Sequence, residues 1–270
     1  MTAVGSPLLD ELAGFEPPAS SVVLSWLGQS SVAIRLGGAT VLVDPFLSPL
    51  PDRLVPPPFA GEEARGVDVV LITHDHLDHL DDHALPAIAT ASPEAVVIVP
   101  NEVVDRVAAL GIERSRVHGL SPDGRAQLGT VTVDAVPACH GEGIGDAYRL
   151  GPFLGYVASA GGARVYHAGD TILFDGLVDR LRELRADLAL LPINGRDAKR
   201  EAQGLVGNID AVEAAHLARD IGADAAVPLH WDMFASNTGD PAAFVAAAET
   251  TVIVPRHARP FVYTPPWGTR

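Results

Sequence analysis

Thr73-His-Asp-His-Leu-Asp-His79 is the stretch whose reading decides the fold. Three histidines and two aspartates fall within positions 74–79. Histidine is neither a strong turn former nor a good solubiliser, whereas neutral imidazole is the commonest metal ligand. The cluster therefore reads as a metal-binding loop rather than a solvated turn. The mainly apolar run at 67–72 enters it directly. Such a run bounded by charge predicts a buried strand, with the histidines on the loop at its carboxyl end, where open α/β sheets place ligands.

The spacing His-x-His-x-Asp-His resembles the metal-binding signature of the metallo-β-lactamase fold superfamily. Carried over residue by residue, the resemblance implies His74 and His76 as ligands of one metal ion and Asp78 and His79 as ligands of a second, with Asp75 and Leu77 as spacers. It implies His140 as the third ligand of the first ion, Asp170 as a carboxylate bridging both, and His230 as the last histidine of the second. These seven residues all fall at or just beyond predicted strand ends. Asp44, closing a Val-Leu-Val-Asp-Pro strand, matches an aspartate that braces the histidine loop by hydrogen bonds; the plain alternative is a strand-end turn with Pro45. Gln29 stands where one branch of the superfamily has the histidine of a Gly-His-Ser motif. The implied fold is α/β, a four-layer αβ/βα sandwich with the metals in the cleft between two similar halves. Periodicity alone indicates only mixed α/β.

Along the chain, residues 1–20 show no clear periodicity and read as an N-terminal extension on a single domain spanning 1–270. Strands are predicted at 22–27, 31–36 and 40–44, separated by glycines in the manner of a meander. A Pro-rich loop at 46–66 is long enough to be a cleft wall. Further strands are predicted at 95–99, 116–120, 129–135, 155–159, 164–167, 186–193, 225–229, 251–255 and 261–264, and helices at 81–89, 102–110, 177–184, 208–221 (with Asn208 as N-cap) and 240–248. The glycine-rich run at 141–145 lacks the strand-to-helix context of a dinucleotide loop and reads as an active-site loop. Cys139 should point away from its neighbour His140 on extended backbone. His83, His118, His167, His216 and His257 lack neighbouring ligands or sit within predicted elements, and read as structural.

Composition narrows the function. The chain has 270 residues, 47% of them hydrophobic, and no run of the roughly 18 apolar residues a membrane span needs. No basic-then-apolar leader opens it, and its one cysteine, Cys139, fits a reducing compartment, so a cytoplasmic location is expected. A formal charge of −15 and a single lysine, Lys199, argue against a nucleic-acid surface. The expected partner is a small-molecule substrate, and an assembly of copies is left open.

Five imidazoles and two carboxylates set roughly −2 of ligand charge against +4 from two divalent ions, enough to hold a hydroxide at neutral pH. The expected function is thus a dinuclear metal-dependent hydrolase using a metal-bound hydroxide, with Asp78, Asp170 and His230 at the reacting centre. A ligand set without thiolate accommodates zinc, manganese or iron. The alternatives are a phosphodiesterase or nuclease of the same superfamily and a non-catalytic metal-binding protein. The run from 227 to 234 with Asn237 and Asp240-Pro241 resembles the bacterial ascorbate 6-phosphate lactonase, and Tyr166-His-Ala-Gly-Asp-Thr171 resembles uncharacterised bacterial metal-dependent hydrolases. A lactone or phosphorylated sugar derivative is the expected substrate class. Arg196 and Lys199, in a basic patch with Arg200, are candidates to hold an anionic group, and Trp231 and Asp232 to shape the pocket.

Overall fold

The meander expected at the start of the chain forms, because Gly37 and Gly38 take the positive φ values (57° and 84°) that a tight reversal between strands needs. The computed structural model describes residues 5–141 and 148–266. In chain order the elements are α1 (Pro7–Gly14), β1 (Val22–Gly28), β2 (Ser31–Leu36), β3 (Ala39–Val43), β4 (Val69–Leu71), α2 (Ala84–Ala91), β5 (Val96–Pro100), α3 (Val104–Ala109) and β6 (Val117–Leu120). There follow β7 (Arg125–Leu128), β8 (Val131–His140), β9 (Arg149–Ala160), β10 (Ala163–His167), α4 (Leu177–Leu184), β11 (Leu188–Pro192), α5 (Ala198–Glu201), α6 (Ala211–Asp220), β12 (Ala225–Leu229), α7 (Pro241–Ala247), β13 (Thr251–Val252) and β14 (Phe261–Tyr263).

These strands build two seven-stranded sheets, ordered β14-β1-β2-β3-β4-β5-β6 and β13-β12-β11-β10-β9-β8-β7. Each starts as an antiparallel meander and turns parallel where long crossovers intervene, helical except for the Pro-rich loop between β3 and β4: β3 to β6 in the first, β10 to β13 in the second. One apolar cluster is shared by the facing sheets, with Leu24, Ile34 and Leu71 meeting Val133, Tyr156 and Leu190. A second packs α1 and α2 on the outer face of the first sheet, and a third packs α4, α6 and α7 on that of the second. Helix, sheet, sheet, helix is the α/β four-layer sandwich. Among the described residues, no helix is long and apolar enough to cross a membrane.

Several boundaries differ from expectation for local reasons. The stretch before residue 20 is not all irregular: Ser6 accepts from the Leu9 N–H, Pro7 pre-sets the first turn, and α1 buries Leu8, Leu9 and Leu12. The prolines and glycines around its three leucines masked their spacing in the sequence. α6 begins not at Asn208 but after Asp210, whose carboxylate accepts the Val212 and Glu213 N–H groups while Glu213 reaches back to the Asp210 N–H. Asn208 is buried and donates instead to Asn194. The strand expected at 129–135 runs on to His140, through Pro137 and an irregularity between Pro137 and Cys139. β7, only the four residues Arg-Ala-Gln-Leu, escaped sequence reading.

Candidate metal centre

Asp44 is where the site begins. It ends β3 in the left-handed region (φ 46°), a conformation aspartate tolerates, and is fully buried. Its Oδ1 accepts the Thr73 N–H (2.8 Å), and its Oδ2 accepts the Thr73 hydroxyl (2.7 Å) and faces His79 Nδ1 (2.7 Å). A carboxylate can only accept here, so His79 keeps a proton on Nδ1, and in its neutral form it turns the lone pair of Nε2 to the centre. The Thr73 hydroxyl, having donated to Asp44, accepts from His74 Nδ1 (3.0 Å), which likewise turns His74 Nε2 inward, 3.0 Å from His76 Nδ1. The expected brace is present in geometry.

The second sheet delivers the other donors. His140 is the last residue of β8. Asp170 follows β10, on a loop tied to β8 by the Cys139 N–H donating to the Thr171 hydroxyl (3.0 Å) and the Ile172 N–H to the Cys139 carbonyl (2.9 Å). Gly169 lets this loop touch the first sheet: at φ 60°, a Cβ there would lie 2.8 Å from both the Leu154 carbonyl and Thr73 Cβ. His230 follows β12 at φ 59°, its N–H donating to the carbonyl of Gln29 (3.0 Å), itself at φ 53°. Two left-handed non-glycine residues facing each other mark a position where the surroundings impose the backbone.

Seven side chains thus converge from both halves. Ligand atoms lie within 4.8 Å of one another in three overlapping groups: His74, His76 and His140; His74, His79 and Asp170; Asp78, His79 and His230. Asp170 lies between them, with Oδ1 3.3 Å from His79 Nε2 and Oδ2 3.3 Å from His230 Nε2 and 3.6 Å from His140 Nε2. Yet His79 Nε2, both nitrogens of His140 and Asp170 Oδ1 are buried without a hydrogen bond. Orphaned buried polar atoms cost about 1–3 kcal/mol each. His79 Nε2, His140 Nε2 and Asp170 Oδ1, which face the same cluster, fit divalent cations.

The electrostatics divide the donors. Burial, with the neighbouring rings His79 and His76, holds His74 well below the ordinary histidine range, and burial brings His140 to about 4; both present lone pairs. Burial also opposes charge on His79 and His230, but Asp170 with Asp44 and Asp78 lifts His79 well above its usual value, and Asp170 with Asp78 lifts His230 to about 9. In return these two imidazoliums overcome burial and hold Asp78 and Asp170 below the ordinary carboxylate range. Without metal, the second half of the cluster is a buried ion-pair network.

Residues 39–231 match the family described as the beta-lactamase superfamily domain. The chain belongs to the metallo-β-lactamase superfamily. It is similar to a UPF0173 metal-dependent hydrolase of Opitutus terrae, at 33% identity over 84% of this chain and 92% of that one. It is likewise similar to a UPF0173 metal-dependent hydrolase of Rubrobacter xylanophilus, at 34% over 82% and 86%. Among solved structures it resembles Igni18, a metallo hydrolase from Ignicoccus hospitalis, with a TM-score of 0.70 and 25% identity over 90% of this chain and 98% of that one.

Against the superfamily pattern, residues outside the seven fall into place one by one. Asp75, a spacer by the resemblance, turns outward to Arg106 (2.9 Å). Gln29, in the place of a histidine, is buried and donates from Nε2 to Asp78 Oδ2 (2.7 Å), with His230 Nε2 3.3 Å away. His167 is structural: its Nε2 donates to the Ser30 carbonyl (2.7 Å) and its Nδ1 accepts from the Gly169 N–H. Cys139 is buried, and burial raises its thiol. The run at 142–145 lies outside the described residues. Asp81, overlooked in the sequence, is buried and accepts from Leu47, Ser48, His83 and Ala84, pinning the Pro-rich loop to the start of α2. No periodic signal marks it, since its partners are backbone N–H groups and one hydroxyl, that of Ser48.

The four candidate substrate residues are placed differently from expectation. A cavity of about 350 Å³ opens on the centre, and Arg196, Lys199, Trp231 and Asp232 are not among its lining residues. Arg196 forks onto Glu213 (2.7 and 2.9 Å) and donates to the Asn208 carbonyl. Lys199 is exposed on the short α5. Trp231 stacks on Trp26 with ring centroids 5.0 Å apart, and Asp232 accepts the Gln29 N–H (3.0 Å), burial lifting its carboxyl to about 6. What lines the cavity instead is Phe46 from the Pro-rich loop, Leu77, the 204–206 segment and the Phe234 to Asn237 turn. A glycine-flanked Leu-Val pair at 204–207 was the available signal for that wall.

Proposed function

We propose that this chain is a metal-dependent hydrolase that uses two divalent ions to open a small-molecule ester-type bond, lactones among them. The observation that carries this reading is the convergence of seven donors, among whose buried atoms His79 Nε2, His140 Nε2 and Asp170 Oδ1 have no hydrogen-bond partner within the protein. His74, His76 and His140 would hold one ion, Asp78, His79 and His230 the other, with Asp170 between them. Such ions, when bound, acidify a water and draw electron density from the substrate's carbonyl oxygen.

The protein's own contribution is positioning. Asp44 and Thr73 fix the tautomers of His79 and His74, so that neither ring must reorganise on loading. Gln29 holds Asp78 by a 2.7 Å hydrogen bond. Asp170, with its free Oδ1 in the middle of the cluster, accepts a hydrogen bond from the attacking water and aims it. Apolar cavity walls thin the solvent over the reacting bond, which strengthens each of these polar contacts. The relatives described as metal-dependent hydrolases support the same assignment.

Elemental analysis of the purified chain, before and after reconstitution with zinc, manganese or iron, is the test. About two equivalents per chain are expected, with turnover on a lactone and ester panel that His76→Ala abolishes. Retention of less than about one equivalent, with none gained on reconstitution, would end the proposal.

A further inference from the structure

The cavity over the centre has a wall chemistry of its own. Away from the donors it is lined by Phe46, Leu77, Leu205, Val206 and Phe234, with no lysine or arginine among its described lining residues. The two phenylalanine rings lie 6.4 Å apart. Of the cations close by, Arg200 is engaged, and Arg53 is engaged through Nε and Nη1, with Nη2 buried and the residue not among those lining the cavity. Arg53 sits over the Phe46 ring (4.7 Å) and donates to the carbonyls of Phe46, Ser48 and Val55. Arg200 is held by Asp197, the Asn194 carbonyl and Asn237 Oδ1.

Ser236, exposed, and Asn237, buried, are the polar residues of this wall, and Asn237 is the one held in place. A guanidinium can only donate, so the Asn237 atom 3.0 Å from Arg200 Nη1 is its oxygen. That oxygen also accepts from Asn194 Nδ2 (2.9 Å), and Asn194 is fixed in turn by accepting from Asn208 Nδ2 (3.0 Å). With the oxygen doubly engaged, the NH2 group of Asn237 is the unspent side of the amide. The chain of three asparagines and an arginine holds a neutral donor in place beside apolar walls.

We propose that the non-reacting part of the substrate is uncharged and apolar, seated against Phe46, Leu205, Val206 and Phe234, with one neutral acceptor oxygen bound by Asn237 Nδ2. The hydrolase reading decides only which end of that molecule reacts. An anionic tail would have to leave water for aromatic and aliphatic walls without a counter-cation, which is strongly disfavoured, whereas pockets of a few hundred Å³ with mostly apolar walls and a few placed polar groups are how small neutral molecules are usually held.

Calorimetric titration of the full chain with straight-chain primary amides, which do not depend on turnover, tests this in both metal-loaded and metal-stripped protein. From butanamide to octanamide, affinity is expected to rise roughly three- to fourfold per methylene. In metal-stripped protein, where no ion can take the charge, a carboxylate at the far end of the octanamide tail is expected to cost about tenfold or more. Phe234→Ser should flatten the series, and Asn237→Leu should weaken octanamide about fivefold. Absence of binding, affinity independent of chain length, or equal binding of the carboxylate-tailed amide to metal-stripped protein would overturn the apolar seat. An unchanged octanamide affinity in Asn237→Leu would remove the hydrogen bond from it. A chain that fails to retain metal but shows the series would fail the hydrolase reading alone.

Discussion

Two single residues control what the metal centre can bind. In Asp44→Asn, the backbone keeps its left-handed turn, which asparagine tolerates as well as aspartate. The new NH2 group, however, would face His79 Nδ1, drawing the ring into the tautomer whose protonated Nε2 points at the centre and cannot ligate. Metal affinity is expected to fall about 10- to 100-fold, measured by competition with a chromogenic chelator; an unchanged affinity would mean that Asp44 only turns the chain. His230 sets a pH window. Its folded value of about 9 lies above the ordinary 6.5, so in metal-free protein the ion-pair network contributes fully below about 6.5 and is lost as pH rises through about 9. The metal-free midpoint of thermal unfolding should therefore decline between those pH values, and His230→Gln should flatten the decline. Over the same window metal competes with fewer protons, so apparent affinity should climb, by up to about tenfold per pH unit for each proton displaced.

At the level of elements, the loop between β10 and α4 decides whether the two sheets can meet around the cluster. Gly169→Ala would strain a φ of 60° and push a methyl to 2.8 Å from the Leu154 carbonyl and Thr73 Cβ. A loss of about 2 kcal/mol or more is expected, read by denaturant unfolding, together with weakened metal retention because Asp170 is the next residue. How far elements could be read in advance follows the same physics. α4 and β12 were legible to the residue, since Leu177, Leu181 and the all-apolar Ala225–Leu229 carry clean periods and ends. α1 and β7 were not: prolines and glycines bracket the three leucines of α1, and β7 is four residues of mixed character. Of the seven converging residues, the four at 74–79 stood out by a spacing that is chemical rather than periodic, whereas His140, Asp170 and His230 were legible only as what the family resemblance implies. Arg196 misled because a basic patch says nothing of its partner, and Glu213, seventeen positions on, is that partner.

Across the whole molecule, four donors come from the first sheet's loop and three from the second sheet, so metal occupancy and the packing of the halves are one equilibrium. The Trp26–Trp231 stack lies on the same seam, joining β1 to the residue after His230 with centroids 5.0 Å apart and planes 27° apart. The chain contains three tryptophans, so two of them form a coupled chromophore pair beside the centre. Two indoles this close share their excited states. The protein should therefore show an exciton couplet in the far-ultraviolet circular dichroism that Trp231→Phe removes, and the pair should act as a built-in optical gauge: if the halves separate on chelation while each keeps its strands, the couplet will fade before the backbone signal does.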